Sequence, residues 1–332
     1  MPQDNHKGMY VRTLGWQVLF ALLVVQGSAA ADTYPNKPIT LVVGFSPGGA
    51  ADQRSRQIAE QLTKALGQPV VVINRPGASG AISASSVAKA APDGYTLMWG
   101  SIQDLAINPA MNHGLDYDPV RDFSPIAHVV SSFLVLSARP GLGVKSVEDL
   151  VALAQSKPGQ LSGGTAGNGT AHHVALAILK KHYANLDITA VPYKGESPII
   201  PDLLGNHIEI GFIVTTTALP YIQSAKLLPL VVTSPKRLVP LSQVPTAAEL
   251  GIPELEMTLW GGIVAPAKTP TPIIRRLHTE LVKIINSPEI RESWISGGAL
   301  PVTSSPEEFA ALIKSEMLRW ASLVKELGLK LE

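Results

Sequence analysis

The fold is decided by a strand, a glycine-rich turn and a helix near the start of the chain, ITLVVGFSPGGAADQRSRQIAEQLTKAL, residues 39–66. The β-branched apolar run at 39–43 predicts a buried strand. Apolar residues then recur at helical spacing, with Ile58 and Leu62 on one face, and Gly67 ends the helix. A strand over 69–73, a helix over 81–91 and a strand over 95–99 follow. This alternation predicts a mainly parallel sheet flanked by helices, with right-handed crossovers.

The second half of the chain continues the alternation. Helices are predicted over 147–155, 171–183, 198–204 and 218–224, and strands at 160–163, 188–191, 208–213 and 227–233. The remainder is predicted to be mostly helical, with proline in the first turn of each helix and Ser305 as the N-cap of the last. The length of 332 residues points to two domains.

The composition excludes several classes of protein. With 45% hydrophobic and 16% charged residues, the chain is too apolar and too weakly charged to stay disordered. It has no cysteine, which excludes disulfides, a thiolate nucleophile, a sulfur-based zinc site and a lipid-modified cysteine. Its net charge of +1 gives no electrostatic basis for binding nucleic acid or anionic lipid.

Residues 1–31 have the features of a secretory signal peptide. Lys7 and Arg12 precede an apolar stretch over 14–25, and small residues at 27–31 provide a peptidase site. The apolar stretch is too short for a membrane anchor, which needs about 20 residues. We therefore expect export, with cleavage after Ala30 or Ala31. Cleavage removes two basic residues and one acidic residue, which leaves an uncharged mature chain with 25 of each.

The turn after the first strand contains Gly44-Phe45-Ser46-Pro47-Gly48, which matches the G-x-S-x-G pattern of a hydrolase nucleophile elbow. In that motif the residue after the serine donates its backbone N–H to the oxyanion. Here that residue is Pro47, which has no N–H. We therefore favour a binding protein without catalytic activity, and an exported α/β hydrolase that uses Ser46 is the alternative interpretation.

Two glycine-rich turns, one in each half of the chain, each lead into a helix. Pro47-Gly48-Gly49 lets the backbone approach a ligand closely, and the following helix presents unpaired N–H groups at its positive end. Residues 163–170, GGTAGNGT, form the second turn, whose hydroxyls and backbone donors can converge on a carboxylate. Such turns bind an anion without a basic side chain, and a cleft between two lobes is a usual place for a small-molecule site.

Two adjacent histidines, His172 and His173, also suggest a metal site. Adjacent residues on a helix point about 100° apart, so the two side chains cannot easily share one ion. No acidic residue lies three or four positions after either histidine. We therefore expect no metal and no cofactor.

Taken together, these segments resemble the periplasmic substrate-binding proteins of tripartite tricarboxylate transporters, the Bug family. The order and spacing of the matching segments carry the resemblance from residue 34 to residue 331. They are 34–39 (YPNKPI), 44–49 (GFSPGG) with Asp52 and Arg56, 74–80 (NRPGASG), 92–97 (PDGYTL), 106–109 (AINP), 165–173 (TAGNGTAHH), 191–195 (VPYKG) and 265–270 (APAKTP).

The resemblance implies an α/β fold with two periplasmic-binding-protein-like lobes that close on a ligand like a Venus flytrap. Lobe 1 would comprise residues 32–136 and 258–332, and lobe 2 residues 137–257. The resemblance also implies a periplasmic monomer that binds a small carboxylate with the help of water molecules and delivers it to membrane transporter subunits. A sensor that presents its ligand to a membrane receptor is a further alternative.

The resemblance assigns ligand-binding roles to residues of both glycine-rich turns and of the segment after the third strand. Asp104 stands in a segment that is usually neutral in the family. An unpaired carboxylate in the cleft would repel a second carboxylate of the ligand and favour an amine or amide; alternatively, Asp104 caps the following turn or faces solvent. The implied ligand-binding residues are Phe45, Ser46, Pro47, Gly48, Gly49, Asp52, Ser101, Gln103, Asp104, Thr165, Ala166, Gly169, Thr170, His173 and Phe212.

Overall fold

The computed structural model describes residues 34–111, 114–184 and 186–328, which form two α/β lobes. We call the part built on a six-stranded sheet lobe 1 and the part built on a five-stranded sheet lobe 2. The predicted signal peptide, residues 1–31, lies outside the described residues. Within the described ranges, no helix combines the length and the apolar character needed to cross a membrane.

The sheet of lobe 1 has the strand order β2-β1-β3-β10-β4-β11. Its strands are β1 (Ile39–Val43), β2 (Val70–Asn74), β3 (Thr96–Ser101), β4 (Phe123–Ser132), β10 (Leu259–Pro266) and β11 (Leu300–Pro301). Strand β1 pairs in parallel with β2 and β3, whereas β10 runs antiparallel to both β3 and β4. Every residue of β10 is buried, as expected for a central strand that is covered on both faces.

The sheet of lobe 2 has the order β7-β6-β8-β5-β9. It contains β5 (Leu134–Ala138), β6 (Leu161–Thr165), β7 (Ile188–Pro192), β8 (Ile210–Val214) and β9 (Leu228–Val232). Strand β6 is parallel to β7 and β8, and β5 is antiparallel to β8 and β9. The predicted two-lobed α/β fold is confirmed. The sheets are mixed and not mainly parallel as expected, because β10 in lobe 1 and β5 in lobe 2 run antiparallel to their neighbours.

Helices cover both sheets. In lobe 1, α1 packs against β1 and β2, and the C-terminal helix α10 packs against β4. Helix α10 begins with the predicted Ser305 cap, in which Ser305 Oγ accepts from Glu308 N and Glu308 Oε2 accepts from Ser305 N. The helices are α1 (Ala50–Leu66), α2 (Ala81–Ala88), α3 (Asn108–Met111), α4 (Val147–Ser156), α5 (Ala171–His182), α6 (Ile199–Leu204), α7 (Thr215–Gln223), α8 (Thr271–Ile285), α9 (Pro288–Ser296) and α10 (Pro306–Leu327).

The chain crosses between the lobes at two neighbouring places. Only Phe133 separates β4 of lobe 1 from β5 of lobe 2. On the return path, Thr233 follows β9, and its buried side chain connects the two crossings. Thr233 Oγ1 accepts from Leu134 N and donates to Met257 O, each at 3.0 Å. The two connections therefore lie side by side and are joined by hydrogen bonds.

A π-helical turn over Gln103–Ile107 follows β3 and contains the buried Asp104. Asp104 Oδ1 accepts hydrogen bonds from the backbone N–H and the hydroxyl of Ser101, at 2.7 and 2.6 Å. Its other oxygen, Oδ2, has no hydrogen-bond partner among the described residues. Burial raises the pKa of Asp104 to about 7, although the hydrogen bonds from Ser101 oppose this shift.

We expect the Asp104→Asn variant to be more stable than the parent above pH 7. The folded state binds the Asp104 proton more tightly than the unfolded state, whose aspartate has a pKa near 3.9. The free energy of unfolding of the parent therefore falls as the pH rises from about 4 to about 7, by at most about 4 kcal/mol in total. Above that range Asp104 causes no further loss. Asparagine can accept the same two hydrogen bonds without ionising.

Urea unfolding at pH 5 and pH 8 measures this difference. The gain of Asp104→Asn over the parent should be larger at pH 8, whereas Asp187→Asn, at an exposed position, should leave the pH dependence unchanged. An equal effect of Asp104→Asn at both pH values would contradict the assignment.

Candidate ligand-binding cleft

A cavity lies between the two lobes at the ends of their central strands. It has a volume of about 70 Å³. Much of its wall is apolar. The lining residues are Phe45, Ser46, Gly49, Ala50, Ala51, Arg54, Trp99, Ser101, Gln103, Val130, Ser132, Leu259, Trp260 and Gly261 from lobe 1, and Ala166, His172, Gly195, Glu196, Ser197 and Val214 from lobe 2.

Arg54 brings a positive charge to this cavity from the second turn of α1. Its guanidinium donates from Nη2 to Thr216 Oγ1 of lobe 2 and lies 5.8 Å from the centre of the Trp294 ring. Its Nε, which is buried, has no hydrogen-bond partner within the described part of the chain. Burial lowers the pKa of Arg54 to about 10, although the negative charge of the nearby Glu196 raises it. The side chain therefore stays charged at neutral pH.

Three further buried side chains in the cavity wall have polar atoms without a partner in the described ranges. They are Ser132 Oγ at the end of β4, Trp260 Nε1 in β10 and both ring nitrogens of His172 in the first turn of α5. Each can donate a hydrogen bond, and the tryptophan can only donate. Buried donors are normally satisfied, and these donors, like Arg54 Nε, belong to residues that line one cavity, which favours a site for a molecule rich in acceptors, such as a carboxylate.

Glu196 of lobe 2 is the acidic residue of the cavity wall. Its Oε1 accepts from Ala50 N at 3.0 Å and from Thr217 Oγ1 at 2.7 Å, and its Oε2 accepts from Val214 N at 2.9 Å. His172 Nε2 lies 3.5 Å from Oε2. Burial favours a raised pKa of Glu196, but the neighbouring histidine and the hydrogen bonds outweigh it and hold the pKa below its ordinary value. The carboxylate is therefore ionised at neutral pH.

The first glycine-rich turn contributes to the cavity with Phe45, Ser46 and Gly49. The other predicted residues of this turn support it from behind. Gly48, with φ of 84°, donates its N–H to Asp52 Oδ2 at 2.9 Å, and Asp52 Oδ1 accepts from Asn74 Nδ2. Pro47 accepts a hydrogen bond at its carbonyl from Ser197 Oγ, across the cleft, and does not line the cavity.

The second turn contributes Ala166, while its other predicted residues make contacts within lobe 2. Thr170 caps α5 by accepting from His173 N, and His173 Nδ1 accepts from Gly169 N at 3.3 Å. Thr165 is buried beside the turn. The neighbouring histidine, His172, faces the cavity in place of His173.

Among the remaining predicted residues, Ser101 and Gln103 line the cavity. Asp104 lies one position further and bonds to Ser101, outside the cavity wall. Phe212 is fully buried in the core of lobe 2, on β8. The described residues contain no group of three His, Asp or Glu side chains that could hold a metal ion.

Sequence reasoning did not identify Arg54, Ser132, Glu196 or Trp260. For Arg54 a signal was present, because it continues the buried stripe of α1 through Ile58 at a spacing of four residues. A charged residue on such a stripe needs a buried partner or a ligand. The other three meet only through the order of the strands and the closure of the lobes, which no local pattern specifies.

Comparisons with known proteins agree with this geometry. Residues 55–329 match the family described as tripartite tricarboxylate transporter family receptor. Protein BugT of Bordetella pertussis is 33% identical over 326 residues, which cover 98% of this chain and 97% of BugT.

Two solved structures of similar proteins extend the comparison. The structure described as R. palustris Rpa4515 with adipate has a TM-score of 0.86 and 35% identity, over 90% of this chain and 99% of that one. The structure of the periplasmic binding protein BugD has a TM-score of 0.86 and 31% identity, over 90% of this chain and 99% of BugD. These relatives are solute-binding proteins and give no support to the hydrolase alternative.

The match over most of the chain and the full-length likeness to Bug proteins confirm the resemblance found in the sequence. The chain belongs to the tripartite tricarboxylate transporter receptor family of solute-binding proteins, which includes the periplasmic Bug proteins.

Proposed function

We propose that this protein binds a small organic acid, as its carboxylate, in the cavity between the lobes and delivers it to the membrane subunits of a tripartite tricarboxylate-type transporter. The observation that carries the proposal is that Arg54, Ser132 and Trp260 line one cavity and that each has a buried donor without a partner among the described residues, Nε, Oγ and Nε1 respectively. A carboxylate offers about four acceptor positions on two oxygens, and a charge-assisted bond to the guanidinium is the strongest kind available.

The similar protein Rpa4515, whose structure contains adipate, supports carboxylate as the ligand class. The apolar wall of the cavity, with Phe45, Trp99 and Val130, fits the carbon skeleton of an organic acid better than an inorganic anion. Water molecules would bridge the remaining polar groups, such as Ser101 and Gln103, to the ligand.

Closure of the cleft would couple binding to a change of shape that the transporter recognises. Several hydrogen bonds join the lobes: Glu196 accepts from Ala50, Ser79 Oγ donates to Asn168 O, and Ser197 Oγ donates to Pro47 O. A ligand that contacts Arg54 on one lobe and His172 on the other favours the closed state by its differential contacts.

The division into two lobes follows from which of the two sheets each strand belongs to. The boundary expected at 136/137 falls inside β5 (Leu134–Ala138), which belongs to the five-stranded sheet, so residues 32–132 and 258–332 would move as lobe 1 and residues 134–257 as lobe 2. The predicted site residues that do not line the cavity, such as Asp52 and Thr170, would act by holding the two turns in place.

The Arg54→Gln variant should bind its acid at least tenfold more weakly than the parent. Hydrogen bonds to charged groups contribute about 1.5–3 kcal/mol, and each 1.4 kcal/mol corresponds to about tenfold in affinity. Isothermal titration with the acid that raises the melting temperature most, chosen from acetate to hexanoate, malonate to adipate and benzoate, measures the loss.

Arg275→Gln, at an exposed position of α8, is the matched control and should bind as the parent does. Arg54→Lys, which keeps the charge but not the planar donors, should fall between the two. Parent-like affinity of a folded Arg54→Gln protein would refute the role of this cavity.

We further propose that the mature protein is a periplasmic monomer without a lipid anchor, produced by cleavage near Ala31. When the full chain is expressed in a Gram-negative host, the periplasmic fraction should contain a chain that starts at Ala31 or Asp32. Intact mass spectrometry checks the start, and light scattering after gel filtration should give the mass of one chain. A precursor retained in the membrane, or a dimer mass, would contradict this proposal.

A further inference from the structure

The carboxylate of Glu196 already fills an anion site in the cleft. Its two oxygens accept hydrogen bonds from Ala50 N, at the start of α1 in lobe 1, and from Val214 N and Thr217 Oγ1, at the start of α7 in lobe 2. Helix N-termini carry unpaired donors and partial positive charge, and they bind anions for that reason. A side chain of the protein thus takes the place that a free carboxylate could occupy between these two helices.

The cavity wall carries one fixed charge of each sign before a ligand enters. Its ionisable side chains are Arg54, Glu196 and His172, so one fixed positive charge faces one fixed negative charge. Both fixed charges are more than nine-tenths buried. In a buried site, an uncompensated charge is costly and like charges repel strongly. One carboxylate can be held by Arg54, whereas a second carboxylate, toward lobe 2, would meet the Glu196 carboxylate with His172 already beside it.

The remaining space favours a short, apolar ligand body. His172 Nε2 of lobe 2 lies 3.5 Å from the Glu196 carboxylate, and the other free donors, Arg54 Nε, Ser132 Oγ and Trp260 Nε1, all belong to lobe 1. Opposite them, toward lobe 2, the wall contains Val214 and the Glu196 carboxylate. The cavity volume of about 70 Å³ is smaller than the roughly 150 Å³ of an engineered cavity that binds benzene, so the ligand must be compact.

We infer that Glu196 is a specificity-determining residue that occupies one of two anion sites in the cleft and thereby selects monocarboxylates over dicarboxylates. This inference rests on the proposed function, since it assumes that the ligand is a carboxylate. It adds that the acidic group of the ligand binds beside Arg54 and that the other end of the ligand is apolar. The Glu196 carboxylate acts as a fixed substitute for the second acidic group.

Matched pairs of acids test the inference on the unmodified protein. Butyrate and succinate differ only in the group at one end of a four-carbon chain, as do propionate and malonate in a three-carbon chain. Isothermal titration should show at least about tenfold tighter binding of the monocarboxylate in each pair. Equal or tighter binding of succinate and malonate would overturn the inference while leaving the proposed function intact. No binding of any carboxylate would refute both.

The Glu196→Gln variant tests the assignment to this residue. Loss of the negative charge should raise the succinate-to-butyrate affinity ratio by at least about tenfold, since the second carboxylate lies nearest to position 196. Any loss of hydrogen bonds at the helix N-termini affects both acids alike and leaves the ratio unchanged. A ratio equal to that of the parent would overturn the inference.

Chemical rescue provides a measurement that does not depend on the ligand. Glu196→Ala removes a fragment with the size of acetate, and free acetate can bind in the space that the side chain leaves. Acetate at about 50–100 mM should therefore raise the melting temperature of this variant more than that of the parent. Acetamide, which is neutral and similar in shape, should have no such effect. Glu280→Ala, which removes a buried glutamate of α8 outside the cavity, should not respond to acetate. Failure of acetate to stabilise Glu196→Ala would contradict the presence of an anion site between the helices.

Discussion

Two buried charges that face the same cleft impose the main constraint on this protein. Arg54 and Glu196 approach the cleft from opposite lobes, and neither can be left unpartnered there without a large desolvation cost. Arg54 reaches a hydroxyl of lobe 2, and Glu196 reaches a backbone N–H of lobe 1. Arg54 therefore has its hydroxyl partner, and Glu196 its third hydrogen-bond donor, because the lobes lie together in this arrangement.

The proposed anion site combines two kinds of donor that differ in what they require of the sequence. Helix N-termini and glycine-rich turns supply backbone donors, which need only the right chain geometry. The guanidinium of Arg54 supplies a charged donor, which needs a particular side chain at one position of α1. The sequence predicted the backbone donors, and the structure adds the guanidinium and shows that the donor at the start of α1 serves an internal carboxylate.

Much of the fold could be predicted because its signals are local. Helix α10 has a proline and a capping serine at its start, and β1 is a continuous apolar run. Strands β4 and β10, at the centre of the large sheet, were missed for a physical reason. Strand β10 contains Gly261 and Gly262, which weaken a strand pattern, but a Cβ at Gly262 would come within 2.4 Å of Ala127 O of β4. Close packing of β10 on β4 thus requires glycine, and glycine weakens the residue pattern from which a strand is predicted.

The site was only partly predictable for a related reason. Phe45, Ser46 and Gly49 belong to a turn whose position follows from one strand and one helix. Trp260 and Ser132 reach the same cavity because β10 lies between β3 and β4, an order set by long-range pairing. Glu196 reaches it from the other lobe. Hydrophobic periodicity carries no information about such pairings. The polar residues that these pairings bring to the cavity wall are therefore apparent only in the folded structure.

The hydrogen bonds of Thr233 affect how the cleft can open. The Thr233 hydroxyl bonds to Leu134, just after the first crossing, and to Met257, just before the second. The two connections therefore cannot bend independently. Two independent connections would permit twisting and sliding of one lobe over the other. Two joined connections act as one narrow strap and leave rotation about a single axis as the easiest motion. After each opening, the lobes then close along the same path. The same side chains of the two lobes therefore come into contact again each time the cleft closes.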